Sequence, residues 1–131
     1  MIIGVGTDIL FIDRIKMLYE KGDATWISFK TKTFTDNEIL LAESRPHPYQ
    51  CYATRFAGKE AVFKSLAIAN KQIKLYDIEI LEGENGRPYV KLHSNTYKLA
   101  CENGIDQIEL SLSYENEYAI AFATSIANFH G

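Results

Sequence analysis

Arg55-Phe56-Ala57-Gly58-Lys59-Glu60-Ala61-Val62-Phe63-Lys64 is the stretch that decides how this chain is read, because it sets charges where a helix should be apolar. At about 100° per residue, the run 49–69 reads as one long helix. Ala53, Phe56, Ala57, Phe63, Ala67 and Ile68 then share a stripe, and Glu60 and Lys64 fall in its middle. Arg55, Lys59 and Ser65 supply the solvated face. A charge inside an apolar stripe is costly unless it is paired, hydrogen-bonded or holding a metal. The alternative is an ordinary i, i+4 Glu–Lys pair at the surface.

Shorter elements surround this helix. Residues 2–5 read as a strand ending in Gly6-Thr7-Asp8, and 12–20 as an amphipathic helix stopped by Gly22. Thr35-Asp36-Asn37-Glu38 is a capping box for a helix that reaches about Ser44 and ends at Pro46-His47-Pro48. Residues 77–82 and 89–93 read as strands joined through Gly83-Glu84-Asn85-Gly86, where Asn-Gly favours a hairpin turn. Ser94 is expected to cap a helix closed by Gly104. Residues 107–113 and 118–125 alternate as two final strands. The fold class is α+β: a small, mostly antiparallel sheet packed against a long central helix, in one domain spanning residues 1–131.

A net charge of −3 argues against a general nucleic-acid binder. No apolar run approaches the roughly 20 residues of a membrane span, and the amino terminus lacks the basic lead of a signal peptide. Cys51 and Cys101 show no metal-ligand spacing and read as two buried, reduced thiols, which suits a cytoplasmic protein.

Asp8, at the end of the first predicted strand, either caps a turn or joins Glu60. Two carboxylates that converge without a cation repel, and one must take up a proton. Mg²⁺ relieves this, since it is held by one or two carboxylates plus water and phosphate oxygens. Lys64, one turn beyond Glu60, supplies a cation for a phosphate or a proton for a leaving group. Asp8, Glu60 and Lys64 together have the composition of a phosphoryl-transfer site.

Taken in order, the motifs resemble those of holo-acyl-carrier-protein synthases. Gly4-Val5-Gly6-Thr7-Asp8-Ile9 with Arg14-Ile15 is similar to that family's amino-terminal signature. Phe34-Thr35-Asp36-Asn37-Glu38, the 55–64 helix motif, Asn85-Gly86-Arg87-Pro88, and Ser111-Leu112-Ser113 followed by Tyr118-Ala119-Ile120-Ala121 are similar to the rest.

The resemblance implies a 4′-phosphopantetheinyl transferase fold and transfer of 4′-phosphopantetheine from coenzyme A to a carrier-protein serine, releasing adenosine 3′,5′-bisphosphate. It implies that Asp8 and Glu60 hold Mg²⁺ and that Lys64 serves the leaving phosphate. A water or a carboxylate near the magnesium deprotonates the serine. Arg55, Lys59 and Lys64 become candidate coenzyme A contacts, with Asn85, Gly86, Arg87, Pro88, Ser111, Ser113 and Tyr114 around the nucleotide. Helical geometry sets Arg55 and Lys59 away from Glu60, so they reach phosphate only near a subunit boundary or by bending back.

The chain departs from the family at Tyr114, which stands where the family carries a histidine. A tyrosine is not cationic at neutral pH. His47, His93 and His130 lie elsewhere in the sequence. A catalytically weak or inactive coenzyme-A-binding paralogue is therefore the alternative reading. The resemblance further implies a homotrimer with interfacial active sites. The acyl carrier protein, an acidic partner, would dock on Arg14, Lys16 and Lys21. Eight tyrosines and seven phenylalanines suit either an apolar interface or a core.

Overall fold

Two glycines on the first strand set how closely the layers approach. The computed structural model describes residues 1–69 and 72–128, so His130 lies outside the described residues. Its elements run β1 (Ile2–Phe11), α1 (Ile12–Lys21), α2 (Ala24–Thr33), α3 (Asp36–Glu43), α4 (Pro48–Ser65), a short 3-10 turn (Leu75–Asp77), β2 (Ile78–Glu82), β3 (Pro88–Leu92), α5 (Ser94–Glu102), β4 (Gln107–Glu115) and β5 (Tyr118–Ile126). A Cβ on Gly6 would fall inside the carbonyl oxygen of Ala61, and one on Gly4 inside that of Ser65. Glycine at both positions lets the α4 backbone lie directly against β1.

The mixed α/β architecture holds two antiparallel sheets, one of three strands in the order β1-β5-β4 and one formed by the β2–β3 hairpin. In the larger sheet Gly6 faces Ala123, and Asp8 faces Ala121. Ala119, Ala121 and Ala123 of β5 and Ala53, Ala57 and Ala61 of α4 are all at most 1% exposed. Small residues on both sides bring α4 close enough to be covered on nearly every face.

This all-round burial corrects the expected solvated face. Lys59 and Ser65 are fully buried and Arg55 is half-buried, whereas Lys64 is exposed and Glu60 half-buried. Helical period fixes which residues share a face but not how many faces are covered. Lys59 donates to Leu75 O (3.0 Å) and Ile78 O (2.6 Å) and pairs with Glu38 Oε1 at 2.8 Å. The Phe34 ring lies 5.6 Å from its ammonium. Glu38 also closes the capping box on Thr35 N and accepts from Ile80 N, each at 2.9 Å. One ion pair therefore ties α3, α4 and β2 together. Burial pushes Glu38 up and Lys59 down, and their mutual attraction opposes both shifts.

Other differences are local. The first strand continues through Asp8 to Phe11 rather than stopping near Val5, so Asp8 is a strand residue. The long helix stops at Ser65, with Ala67 at φ 56°. α2 adds a helix whose start is capped by Asp23, accepting from Thr25 N and Trp26 N. Ser94 makes no cap because its own backbone sits at φ 53°. Cys51 is buried, but Cys101 is exposed.

Nine of the aromatics gather in two places. Tyr19, Trp26, Phe29, Phe34, Tyr52 and Phe56 pack together inside, with ring centroids 5.0–6.1 Å apart. Phe11, Tyr118 and Phe122 lie instead on the sheet face turned away from α4, with Val5, Ile9 and Ile120. All six are 39–63% exposed, and Ile9 pairs across the sheet with Ile120.

Candidate functional site

Asp8 points to the α4 side of the sheet, the same side as Gly6, because side chains alternate along a strand. There it meets Lys64, whose ammonium lies 3.4 Å from Asp8 Oδ1 and donates to Thr7 O at 2.8 Å. Glu60 precedes Lys64 by one helical turn. Burial holds the Glu60 carboxyl above its usual range, the charge of Asp8 raises it further, and Lys64 lowers it. Two carboxylates and an ammonium thus converge where α4 crosses β1. The carboxylates are hard oxygen donors of the kind Mg²⁺ takes, with water and phosphate completing its shell. Among the described residues no cluster of three or more His, Cys, Asp or Glu side chains gathers as a fuller protein cage. The pair fits an ion that shares its coordination with substrate.

A second feature lies at the other end of α4. A cleft of about 440 Å³ is lined by Arg45, His47, Gln50, Thr54, Arg55 and Tyr114, with Gly86, Pro88, Glu82 and Leu112 closing it. It opens at the amino-terminal end of an 18-residue helix, where backbone dipoles favour an anion. Arg55 donates to Thr54 Oγ1 (3.3 Å), while its buried Nε has no partner among the described residues. Such an unspent donor is costly unless a ligand answers it.

Arg55, Gly86, Pro88 and Tyr114 therefore line one cleft. Asn85 and Arg87 are exposed on the turn beside it. Ser111 and Ser113 face the opposite side of the sheet, because they alternate with the inward Leu110 and Leu112; Ser113 lines a separate hollow with Ile9 and Tyr118. Lys59 has all three of its donors engaged inside the core, which leaves none for a phosphate and removes it as a coenzyme A contact. Sequence reasoning missed Arg45, Gln50 and Thr54 and set His47 apart from the site. The usable signal was a basic segment directly before a helix start. Arg14 and Lys21 are exposed on α1, and Lys16 lies 5.2 Å over the Tyr49 ring.

The two features do not share one wall. Asp8 lies on one edge strand of the sheet and Tyr114 on the other, with β5 between them. Arg55 and Glu60 are five residues apart, which separates them by about 140° around α4 and about 7.5 Å along it.

The profile of the 4′-phosphopantetheinyl transferase superfamily matches residues 4–123, and the chain belongs to that superfamily. Within it, the chain is similar to the holo-[acyl-carrier-protein] synthase of Halothermothrix orenii, at 38% identity over 93% of this chain and 95% of that protein. The crystal structure of holo-[acyl-carrier-protein] synthase from Neisseria meningitidis superposes with a TM-score of 0.85 at 30% identity, covering 96% of this chain and 99% of that one. The synthase from Bacillus anthracis, solved in complex with CoA (3′,5′-ADP), superposes at 0.76 and 25% identity, covering 98% and 99% of the two chains.

Proposed function

We propose that this chain transfers 4′-phosphopantetheine from coenzyme A to a serine of an apo acyl carrier protein, giving holo-carrier protein and adenosine 3′,5′-bisphosphate. The observation that carries the reading is the meeting of Asp8, Glu60 and Lys64 where α4 crosses β1, in a chain of this superfamily. The serine oxygen forms a bond to the phosphorus that bears pantetheine. The bond from that phosphorus to the departing bisphosphate breaks. The serine proton passes to a carboxylate of the pair or to a water beside it. Lys64, anchored on Thr7 O and half-exposed, is placed to donate an N–H to the leaving phosphate. Mg²⁺ held by Asp8 and Glu60 would supply neutralising charge for the pyrophosphate oxygens. Arg55, at the cleft end of α4, supplies a buried donor for a phosphate of the nucleotide.

A complete site needs more than one copy in this reading. The cleft and the Asp8–Glu60 pair lie at opposite sheet edges, so one copy's cleft would serve its neighbour's carboxylates. The exposed Ile9, Phe11, Ile120 and Phe122 face offers the apolar surface for a homotrimer. The chain would work in the cytoplasm, in fatty acid biosynthesis, with the carrier protein docked on Arg14, Lys16 and Lys21. No helix among the described residues is long and apolar enough to cross a membrane.

Chromatographic detection of adenosine 3′,5′-bisphosphate tests the transfer. It should accumulate from coenzyme A only with apo carrier protein and Mg²⁺ present, and not with a carrier whose acceptor serine is alanine. Coenzyme A binding without that release would favour the inactive paralogue, and Tyr114→His is then the variant that tests whether that side chain is the cause.

A further inference from the structure

One carboxylate lines a cleft otherwise built for an anion. Glu82 ends β2, and one of its oxygens packs against the Gly86 turn, 3.3 Å from where a Cβ on that glycine would sit. Its other oxygen pairs with Arg45, just before Pro46 and the start of α4. The pair spans the cleft from the hairpin to the helix, with side chains 42% (Arg45) and 25% (Glu82) exposed, so both reach solvent. The two arginines of the cleft are therefore in different states. Arg55 has a buried donor without a partner among the described residues, while the charge of Arg45 is already taken up by Glu82. An entering phosphate gains Arg55 at once but must compete with Glu82 for Arg45, and it meets a like charge in doing so.

We propose that Glu82 is a built-in competitor anion that holds Arg45 while the cleft is empty and limits how tightly the cleft keeps a nucleotide phosphate. This rests on the reading that the cleft takes the nucleotide of coenzyme A. The 3′-phosphate is common to coenzyme A and the bisphosphate, but transfer turns the 5′-phosphate from part of a pyrophosphate into a terminal monoester, which carries about one more negative charge at neutral pH. Weakening the cleft's grip on those phosphates therefore favours release after transfer. The device is non-covalent: Arg45 exchanges one oxyanion for another, and no proton or bond changes hands.

The test is calorimetric titration of adenosine 3′,5′-bisphosphate, with adenosine as the uncharged control, into wild-type protein, Glu82→Gln, Arg45→Gln and the double variant. An exposed pair of this kind sets the scale at about three- to fivefold tighter binding for Glu82→Gln, a gain that shrinks in high salt. Adenosine should bind all four proteins alike. Arg45→Gln should bind the bisphosphate more weakly than wild type, and the double variant should lose the gain of Glu82→Gln. Unchanged or weaker bisphosphate binding by Glu82→Gln would make the pair a strut between the cleft walls and overturn the proposal. Wild-type protein that binds neither coenzyme A nor the bisphosphate would overturn the nucleotide reading of the cleft itself, and the proposal with it.

Discussion

Replacing Lys59 by methionine keeps most of its volume and deletes one buried charge. The ammonium is fully enclosed and bonded at 2.6–3.0 Å to Glu38 and to the carbonyls of Leu75 and Ile78. Without it, Glu38 remains buried with only the N–H groups of Thr35 and Ile80, and two carbonyls lose their partner. Breaking one side of such a pair costs about 3–5 kcal/mol. For 131 residues, an unfolding entropy of about 2.1 cal/mol/K per residue turns 4 kcal/mol into a fall in Tm of about 15 °C. Trp26, the single tryptophan, is 4% exposed and reports unfolding by fluorescence. The sign with pH is fixed too. Burial already raises the Glu38 carboxyl, and losing the cation raises it further. A carboxyl whose folded pKa lies above its unfolded one contributes stability below the unfolded value and loses it as pH rises through the folded value. The deficit of Lys59→Met should therefore shrink in acid. A loss under about 1 kcal/mol, the range of surface pairs, or a deficit that grows in acid, would refute the buried-pair reasoning.

Gly6→Ala drives a methyl into the Ala61 carbonyl and should cost about 3 kcal/mol by denaturant titration while displacing Asp8 from α4. Glu60→Gln should abolish transfer yet raise the Tm of metal-free protein. It removes a carboxylate held high by burial and by Asp8, so the gain should grow as pH rises from 4 through that carboxylate's range. Thermal scans in EDTA across that range check the sign. Charge reversal at Arg14 should raise the KM for carrier protein and leave coenzyme A binding unchanged; steady-state kinetics against each substrate separates the two.

Much of the fold could be read from local chemistry. The Thr35–Glu38 box, the Asn85-Gly86 turn and the alternation of the last two strands each have a near-neighbour cause, and each is where that cause puts it. α2 was missed because Ala24–Thr33 is rich in Thr and Ser, and its buried Trp26 and Thr33 mark no continuous stripe. Lys59 was misplaced for a different reason. Its partner Glu38 lies on another helix, and only tertiary packing turns a capping residue into a counterion. Glu60 and Lys64 could be grouped because they stand one helical turn apart, whereas Asp8 joins them only through the packing of β1 on α4. The cleft was legible only in part, since Arg45 and His47 come to Tyr114 through the packing of α4 on β4.

The most direct test is intact-mass analysis of an apo acyl carrier protein incubated with this protein, coenzyme A and MgCl₂, beside EDTA and Glu60→Ala controls. A gain of one phosphopantetheine per carrier, absent from both controls, is the expected result. A carrier of unchanged mass with the wild-type protein, or full modification by Glu60→Ala, would contradict the site described above.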